Sequence, residues 1–224
     1  MNGICIQPGF VSASVFNPLA VNGCAVWLDS AVGVENAQGV SPTTPSEQIV
    51  NWRDQSGNGN DPDSLLNFFW DSETVFTTTS QENIIWQQKP FGDTATFFIV
   101  LELTGGWLLS FGDYTSISYV GAAYPHSSGN SHKGAGTPNY YINGVDVGLL
   151  NMMNLTSSLI SAGNCVITIS DVDTSGWSEF RHGWLSGWPS AGPRREILVY
   201  DSHLENGDRE AVETYLIQKY NIEV

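Results

Sequence analysis

From Cys24 onward, short apolar stretches alternate with clusters of Gly, Asn, Asp, Ser and Pro, a spacing that predicts many short strands joined by turns. The clearest stretches are 24–28, 49–52, 96–103, 107–111, 116–120, 140–143, 165–170 and 195–200. Phe97-Phe98-Ile99-Val100-Leu101 is apolar at every position and predicts a central strand covered on both faces. Residues 165–170 alternate instead, which puts Cys165, Ile167 and Ile169 on one face and predicts water on the other. Only one segment has convincing helical spacing. Val212, Tyr215, Leu216 and Tyr220 form a stripe that should pack on a sheet edge, with Asp208 and Glu210 in the first turn, Lys219 in the last, and Glu205 or Asn206 able to cap. Residues 1–22 are apolar but interrupted by Pro8, Gly9 and Pro18, so they read as an extended arm in front of one domain over 23–224. No internal repeat and no long linker divides that domain.

Composition narrows the class. The 224 residues carry 8 basic against 23 acidic side chains, a net charge of −15 and a pI near 4.3. Nucleic acid is thereby excluded as the expected partner, because affinity for a phosphate backbone rests on Lys and Arg displacing counterions. An anionic membrane surface would repel the chain too. With 41% hydrophobic and only 14% charged residues, and 23 glycines, the balance is that of a turn-rich β protein with a real core. No apolar run reaches the roughly 20 residues of a membrane helix, so no membrane insertion is expected. The first ten residues lack the basic and apolar regions of a secretory signal. Cys5, Cys24 and Cys165 are too few and too separated for a disulfide framework and read as small buried hydrophobes.

Two segments carry a combined pattern. Ala25-Val26-Trp27-Leu28-Asp29, followed by Val50-Asn51-Trp52-Arg53-Asp54-Gln55-Ser56-Gly57-Asn58-Gly59-Asn60-Asp61, resembles the opening of the LamG-like (concanavalin A-like) jelly-roll domains of bacterial and phage surface proteins. Arg195–Ser202 and then 208–220 resemble the closing strand and helix of the same family, while 106–112 and 141–148 are similar to its middle strands. The resemblance implies an all-β, concanavalin A-like β-sandwich with one C-terminal α-helix, serving surface recognition rather than catalysis. In physical terms the motifs are structural. Asp54–Asp61 packs Gly and Asn where positive φ costs little and Asx turns close, so it predicts a tight bend. Trp27 and Trp52 read as core anchors. Asn143-Gly144 predicts a type I′ hairpin.

Candidate chemistry is sparse. Glycoside hydrolysis needs two carboxylates facing one bond, and residues share a strand face only at spacings of two or four. Glu196 and Asp201 are five apart, so no catalytic residue is assigned. Asp171 and Asp173 have the spacing of carboxylates on one face, but Gly176 and the flanking Ser and Thr make this a turn, which reads as a solvated loop or as a calcium site, since hard cations take paired Asp oxygens from loops. Zinc is not expected, because no His neighbours a Cys in the sequence. Asn154-Leu155-Thr156 is a glycosylation triplet that reads as chance. For glycan contacts, which need aromatic faces and polar groups on loops, two segments qualify. One holds Tyr124, His126 and His132; the other holds Trp177, Arg181, Trp184 and Trp188. These readings lead to the expectation of a phage virion structural protein, in a tail, fibre or capsid decoration, made in the host cytoplasm without a signal peptide. Its expected partners are other virion proteins engaged through the arm, further copies of itself in a homo-oligomer, and a cell-surface glycan. The alternatives are a free-standing carbohydrate-binding module and, behind it, a glycan hydrolase of the same sandwich type.

Overall fold

A computed structural model describes residues 16–77, 82–103, 108–113, 118–123, 132–133, 135–184 and 192–224. In chain order the strands are β1 (Cys24–Asp29), β2 (Val34–Glu35), β3 (Glu47–Gln48), β4 (Asn51–Trp52), β5 (Ser64–Leu66), β6 (Phe68–Asp71), β7 (Thr74–Thr77), β8 (Glu82–Trp86) and β9 (Thr94–Glu102). They continue as β10 (Leu108–Asp113), β11 (Ser118–Ala123), β12 (His132–Lys133), β13 (Asn139–Ile142), β14 (Val145–Asp146), β15 (Asn164–Asp173), β16 (Phe180–Trp184) and β17 (Arg194–Tyr200). Among the described residues two α-helices accompany them, α1 (Met152–Ala162) and α2 (Asn206–Lys219).

The chain is mainly β, and its strands fall into three sheets. A nine-stranded sheet has the order β14-β13-β15-β9-β17-β7-β6-β3, with β1 also paired to β17; a six-stranded sheet has the order β12-β11-β10-β16-β8-β5; β2 and β4 form a two-stranded ribbon. This corrects the expectation of a simple two-sheet sandwich closed by one helix. The large sheets share one core. Val26, Leu28, Phe97, Ile99, Ile167 and Ile197 from the first sheet meet Ile84, Trp86 and Phe180 from the second. Phe180 lies between Trp86 and Phe91, with ring centroids 4.7 and 4.9 Å away. Each such ring contributes about 1.5–3 kcal/mol by leaving water. A polar tie crosses this core. Arg194 Nε on β17 donates to His182 Nε2 on β16 at 2.7 Å, which places the proton of a neutral imidazole on Nδ1.

Strand β9 is central, as its unbroken apolar run predicts: Phe97, Ile99 and Leu101 face the shared core, and Phe98 and Val100 face the other way. Strand β15 departs from expectation. Cys165 to Ser170 are all buried. The face read as wet is covered by α2, which lies on the outer face of the sheet rather than on an edge. Val212 and Leu216 of α2 pack with Phe98, Val100, Val166, Leu198 and Tyr200, drawn from the three central strands. Helix α1 was not anticipated from the pattern. Asn151 caps it by accepting from Asn154 N at 2.9 Å, Gly163 ends it at φ 65°, and Leu155 and Leu159 insert into the shared core. The glycosylation triplet lies within this helix, where Thr156 is buried and donates to Met152 O. The hairpin at Asn143-Gly144 has positive φ at both residues, 51° and 79°, the type I′ geometry.

The last part of the N-terminal arm is docked on this outer layer. Phe16 meets the Tyr215 ring at 5.7 Å, Pro18 O accepts from Tyr200 OH at 3.0 Å, and Val21 is buried. Residues 1–15 lie outside the described residues. Beneath α2, Glu196 of β17 is buried and its carboxylate accepts from Lys219 Nζ, Tyr220 OH and Trp27 Nε1, each at 2.7 Å. Lys219 Nζ also reaches Asp29 Oδ2 at 2.7 Å. Burial lifts the Glu196 carboxyl above its ordinary range, with Lys219 and Tyr220 pulling against it. Burial disfavours the Lys219 charge, but Glu196 and Asp29 outweigh it and hold the ammonium above its ordinary 10.5.

Lys219→Met should cost about 3 kcal/mol in urea unfolding, because it leaves two buried carboxylates facing each other without a cation. A change within about 0.5 kcal/mol would mean that the bridge contributes nothing. Alkaline titration reads the same cluster. Tyr215 is pushed up to about 12 and Tyr220 higher, both by burial first and then by Glu196. Lys219, Tyr215 and Tyr220 thus hold their protons longer folded than unfolded. Their stabilisation is complete below the ordinary tyrosine value of 10.0 and is lost as pH rises through the folded values. The melting temperature should fall steeply above about pH 10, and less steeply in Lys219→Met; equal slopes would exclude Lys219 from the effect.

Candidate functional site

Among the described residues β1 pairs with one strand, β17, so its other edge would present free backbone groups. The Asn- and Gly-rich bend covers that edge. Asp54 Oδ1 accepts from Trp27 N at 2.9 Å, and Gln55 N donates to Trp27 O at 2.7 Å. Further along, Ser56 Oγ and Asn60 Nδ2 donate to Ala25 O, and Asn58 Nδ2 donates to Cys24 O. The bend is closed internally by Asp54, which also accepts from Ser56 N and Asn60 N, and by Asp61 Oδ1, which accepts from Asp54 N at 2.7 Å. Gly57 and Gly59 adopt φ of 85° and 71°, which a side chain would strain.

Between this bend and residues 87–90 runs a polar trough of two joined clefts, about 400 and 340 Å³, that share Asn60 and Pro90. Gly23, Asn58 and Asp201 line the first; Asp61, Asp63, Gln87, Gln88 and Lys89 line the second, with Trp86 at its base. Most of the charge in the trough is spoken for. Asp61 is held by Arg53 at 2.8 Å, Asp63 accepts from Gln87 N at 2.6 Å, and Lys89 donates to Gly92 O and Thr174 O. Trp86 Nε1 donates to Asn60 O at 2.8 Å, so the buried indole supports the floor. What remains for a ligand is the Gln87 and Gln88 amides, the Oδ1 atoms of Asn58 and Asn60, and the exposed Asp201 carboxylate. A Cβ at Gly23 would come within 2.4 Å of Asp201 Oδ1, and the φ of 85° at Gly23 favours glycine there. Cys24, on the trough wall, has its thiol pushed up to about 12 by burial and by the charges of Asp54 and Asp201. It is inert as a nucleophile at neutral pH.

The residues singled out from the sequence are placed differently. Tyr124, His126 and Trp188 lie outside the described residues. His132 is on β12 and Trp184 on β16, both in the six-stranded sheet. Trp177 is a correction: it is 5% exposed and stacked on Phe97 and Phe180 in the core, because the aromatic density of its segment serves packing between the sheets. Arg181 faces away from that core, beside Ile85 and Gly112 on the flanking strands, and pairs with Glu179 at 2.7 Å. Both β11 and β16 run antiparallel to β10, so the strands that precede residues 124 and 185 end at the same end of the sheet. Asp171 and Asp173 do not converge. Asp171, at φ 59° in a bulge of β15, pairs with His203 and Asn139, while Asp173 accepts from Ser175 N and Oγ. Among the described residues no group of three or more His, Cys, Asp or Glu is placed to hold a metal.

The density of Asn and Gly in 57–60 was the one available signal for the trough; Gln87, Gln88 and Asp201 sit in no motif, and only tertiary structure brings them to it. No family model matches the chain, and no curated protein matches it. A solved structure described as "Crystal structure of HCR/D W1238A mutant" is similar at 11% identity and a TM-score of 0.38, over 87% of this chain and 53% of that one. This chain therefore spans about half the length of that protein. Among the described residues no helix is long and apolar enough to cross a membrane.

Asp54→Ala should cost about 2–3 kcal/mol, because it strands the amides of Trp27, Ser56 and Asn60. Hydrogen exchange should accelerate at those amides and leave β9 protected. Unchanged exchange at Trp27 would show that the bend does not hold the edge.

Proposed function

We propose that this chain is a non-catalytic, lectin-like recognition module of a virion surface, and that the trough beside β1 holds a neutral saccharide. The observation that carries the reading is the composition of the trough: unpaired side-chain amides and one free carboxylate above a buried indole, on a bend tied to β1 at five points. Sugar hydroxyls both donate and accept, and amides match both needs. A bend fixed in advance also spares the ordering cost of binding. Asp61 and Asp63 are bound to donors of their own fold, which suits a scaffold better than a general acid and base flanking a glycosidic bond. The concanavalin A-like jelly-roll reading rests on two large sheets packed face to face around an aromatic core, with a C-terminal helix on the outer face. Assembly belongs to the same proposal. Phe16, from the described part of the arm, lines a shallow cleft of about 320 Å³ together with Ala211, Thr214 and Tyr215 of α2.

The double variant Gln87→Ala/Gln88→Ala should bind at least about tenfold more weakly to any glycan the parent retains on an array, a loss of roughly 1.4 kcal/mol. Both residues are exposed, so its melting temperature should match the parent's. Undiminished binding would remove the trough from the account. Light scattering tests assembly: an oligomer that dissociates when residues 1–15 are deleted supports a virion component, whereas a monomeric full-length chain favours the free-standing carbohydrate-binding module.

A further inference from the structure

We propose that Lys219 and Asp29 condense within the folded chain into an intramolecular isopeptide bond, with Glu196 as the proton carrier. The bond requires no ligand and stands independently of the trough. Three chemistry-bearing side chains converge beneath α2. Lys219 Nζ donates to Asp29 Oδ2 and to Glu196 Oε2, each at 2.7 Å. Asp29 and Glu196 are direct partners in the β1–β17 ladder, so their side chains leave the sheet on one face. Like charges directly opposite each other destabilise a ladder, and here the ammonium between them holds them together. Both carboxylates are buried, and the Glu196 side chain has no exposed surface. Aromatic groups enclose the trio: Lys219 Nζ lies 5.4 Å from the centre of the Tyr215 ring and 5.1 Å from that of Tyr220, and Trp27 Nε1 donates to Glu196 Oε1 at 2.7 Å. One ammonium balances only one of two carboxylates, and burial pushes the Glu196 carboxyl up, toward holding a proton.

Condensation needs a neutral amine and a neutral acid. The Lys219 ammonium passes one proton to Asp29 Oδ2 along their hydrogen bond, which removes both charges of a pair that burial penalises. Nζ then adds to Asp29 Cγ, one bond beyond the oxygen it already touches, and a C–N bond forms. Negative charge develops on Asp29 Oδ1, which accepts from Ala31 N at 2.9 Å, a donor fixed in advance where the oxyanion arises. Glu196 takes the second proton from Nζ and delivers it to the departing Oδ2 hydroxyl; the Cγ–Oδ2 bond breaks and water leaves. One ammonium and one carboxylate thus become one amide and one water, with no change in oxidation state. Contact between the partners makes the step effectively unimolecular, and the ion-paired cluster under α2 is its reactant. The product ties β1 to the last turn of α2 across 190 positions of sequence, in a chain whose described cysteines, Cys24 and Cys165, are both free. A cross-link that closes so long a loop restricts the unfolded chain strongly.

Intact-mass spectrometry of the purified full chain, folded and incubated at neutral pH, is the test. The parent should be lighter by one water than Lys219→Arg once the substitution itself is allowed for. Fragmentation of a tryptic digest should find a branched peptide that joins Asp29 to Lys219. The loss of water should vanish in Asp29→Ala and also in Glu196→Gln, which keeps the shape of the carboxylate but cannot carry the proton. A parent that stays at its full sequence mass overturns the proposal, whether or not the variants fold. A loss of water that persists in Lys219→Arg, or a branch at Glu196 instead of Asp29, overturns it equally. A complete cross-link in Glu196→Gln would overturn the part given to Glu196.

Discussion

One buried carboxylate fixes the layers of this protein on each other. Glu196 sits in the middle of β17 and is held by Lys219 and Tyr220 from the end of α2 and by the Trp27 indole from β1. Helix, central sheet and edge strand thus share a single polar joint. Its influence reaches the trough through Trp27, whose side chain is bound to Glu196 and whose backbone amide is bound to Asp54. Because Asp54 organises the bend from Ser56 to Asp61, the position of the trough follows from the joint beneath α2. A charge placed there is costly, and three donors on one carboxylate are what make it tolerable.

The second constraint is the pair of facing sheets. Their common core is aromatic at one end, where Phe91, Phe97, Trp177 and Phe180 pack in a mixture of edge and stacked contacts. A core of this kind fixes inner faces firmly and leaves the outer faces free to differ. On the nine-stranded sheet the outer face is spent on α2. On the six-stranded sheet, Asn83 and Arg181 instead place buried polar atoms without hydrogen-bond partners on the face away from the core.

Much of the frame was legible in the chain. The unbroken run at 97–101, the Asn143-Gly144 turn and the stripe of α2 were readable because each has a local cause: burial on both faces, positive φ, or period 3.6. Helix α1 was missed although Asn151 and Gly163 are proper start and stop residues, because Thr156, Ser157 and Ser158 are weak helix formers and its apolar stripe is short. Strand β15 was misjudged because Thr168 and Ser170 look solvent-facing; a covering helix that begins at Asn206, far along the chain, decided their burial. The same distance effect hid the trough. The bend 54–61 was visible as a bend, but Gln87, Gln88 and Asp201 join it only in three dimensions. Trp177 shows the converse error, an aromatic in a rich segment that packing had already claimed.

Recognition without turnover in the trough beside β1 can be seen or refuted in a crystal structure of the chain soaked with the glycan it binds best. An intact saccharide should lie across Asn60, with its hydroxyls on Gln87, Gln88 and Asp201. A cleaved product at any carboxylate pair, or a trough left empty at saturating glycan, would contradict it.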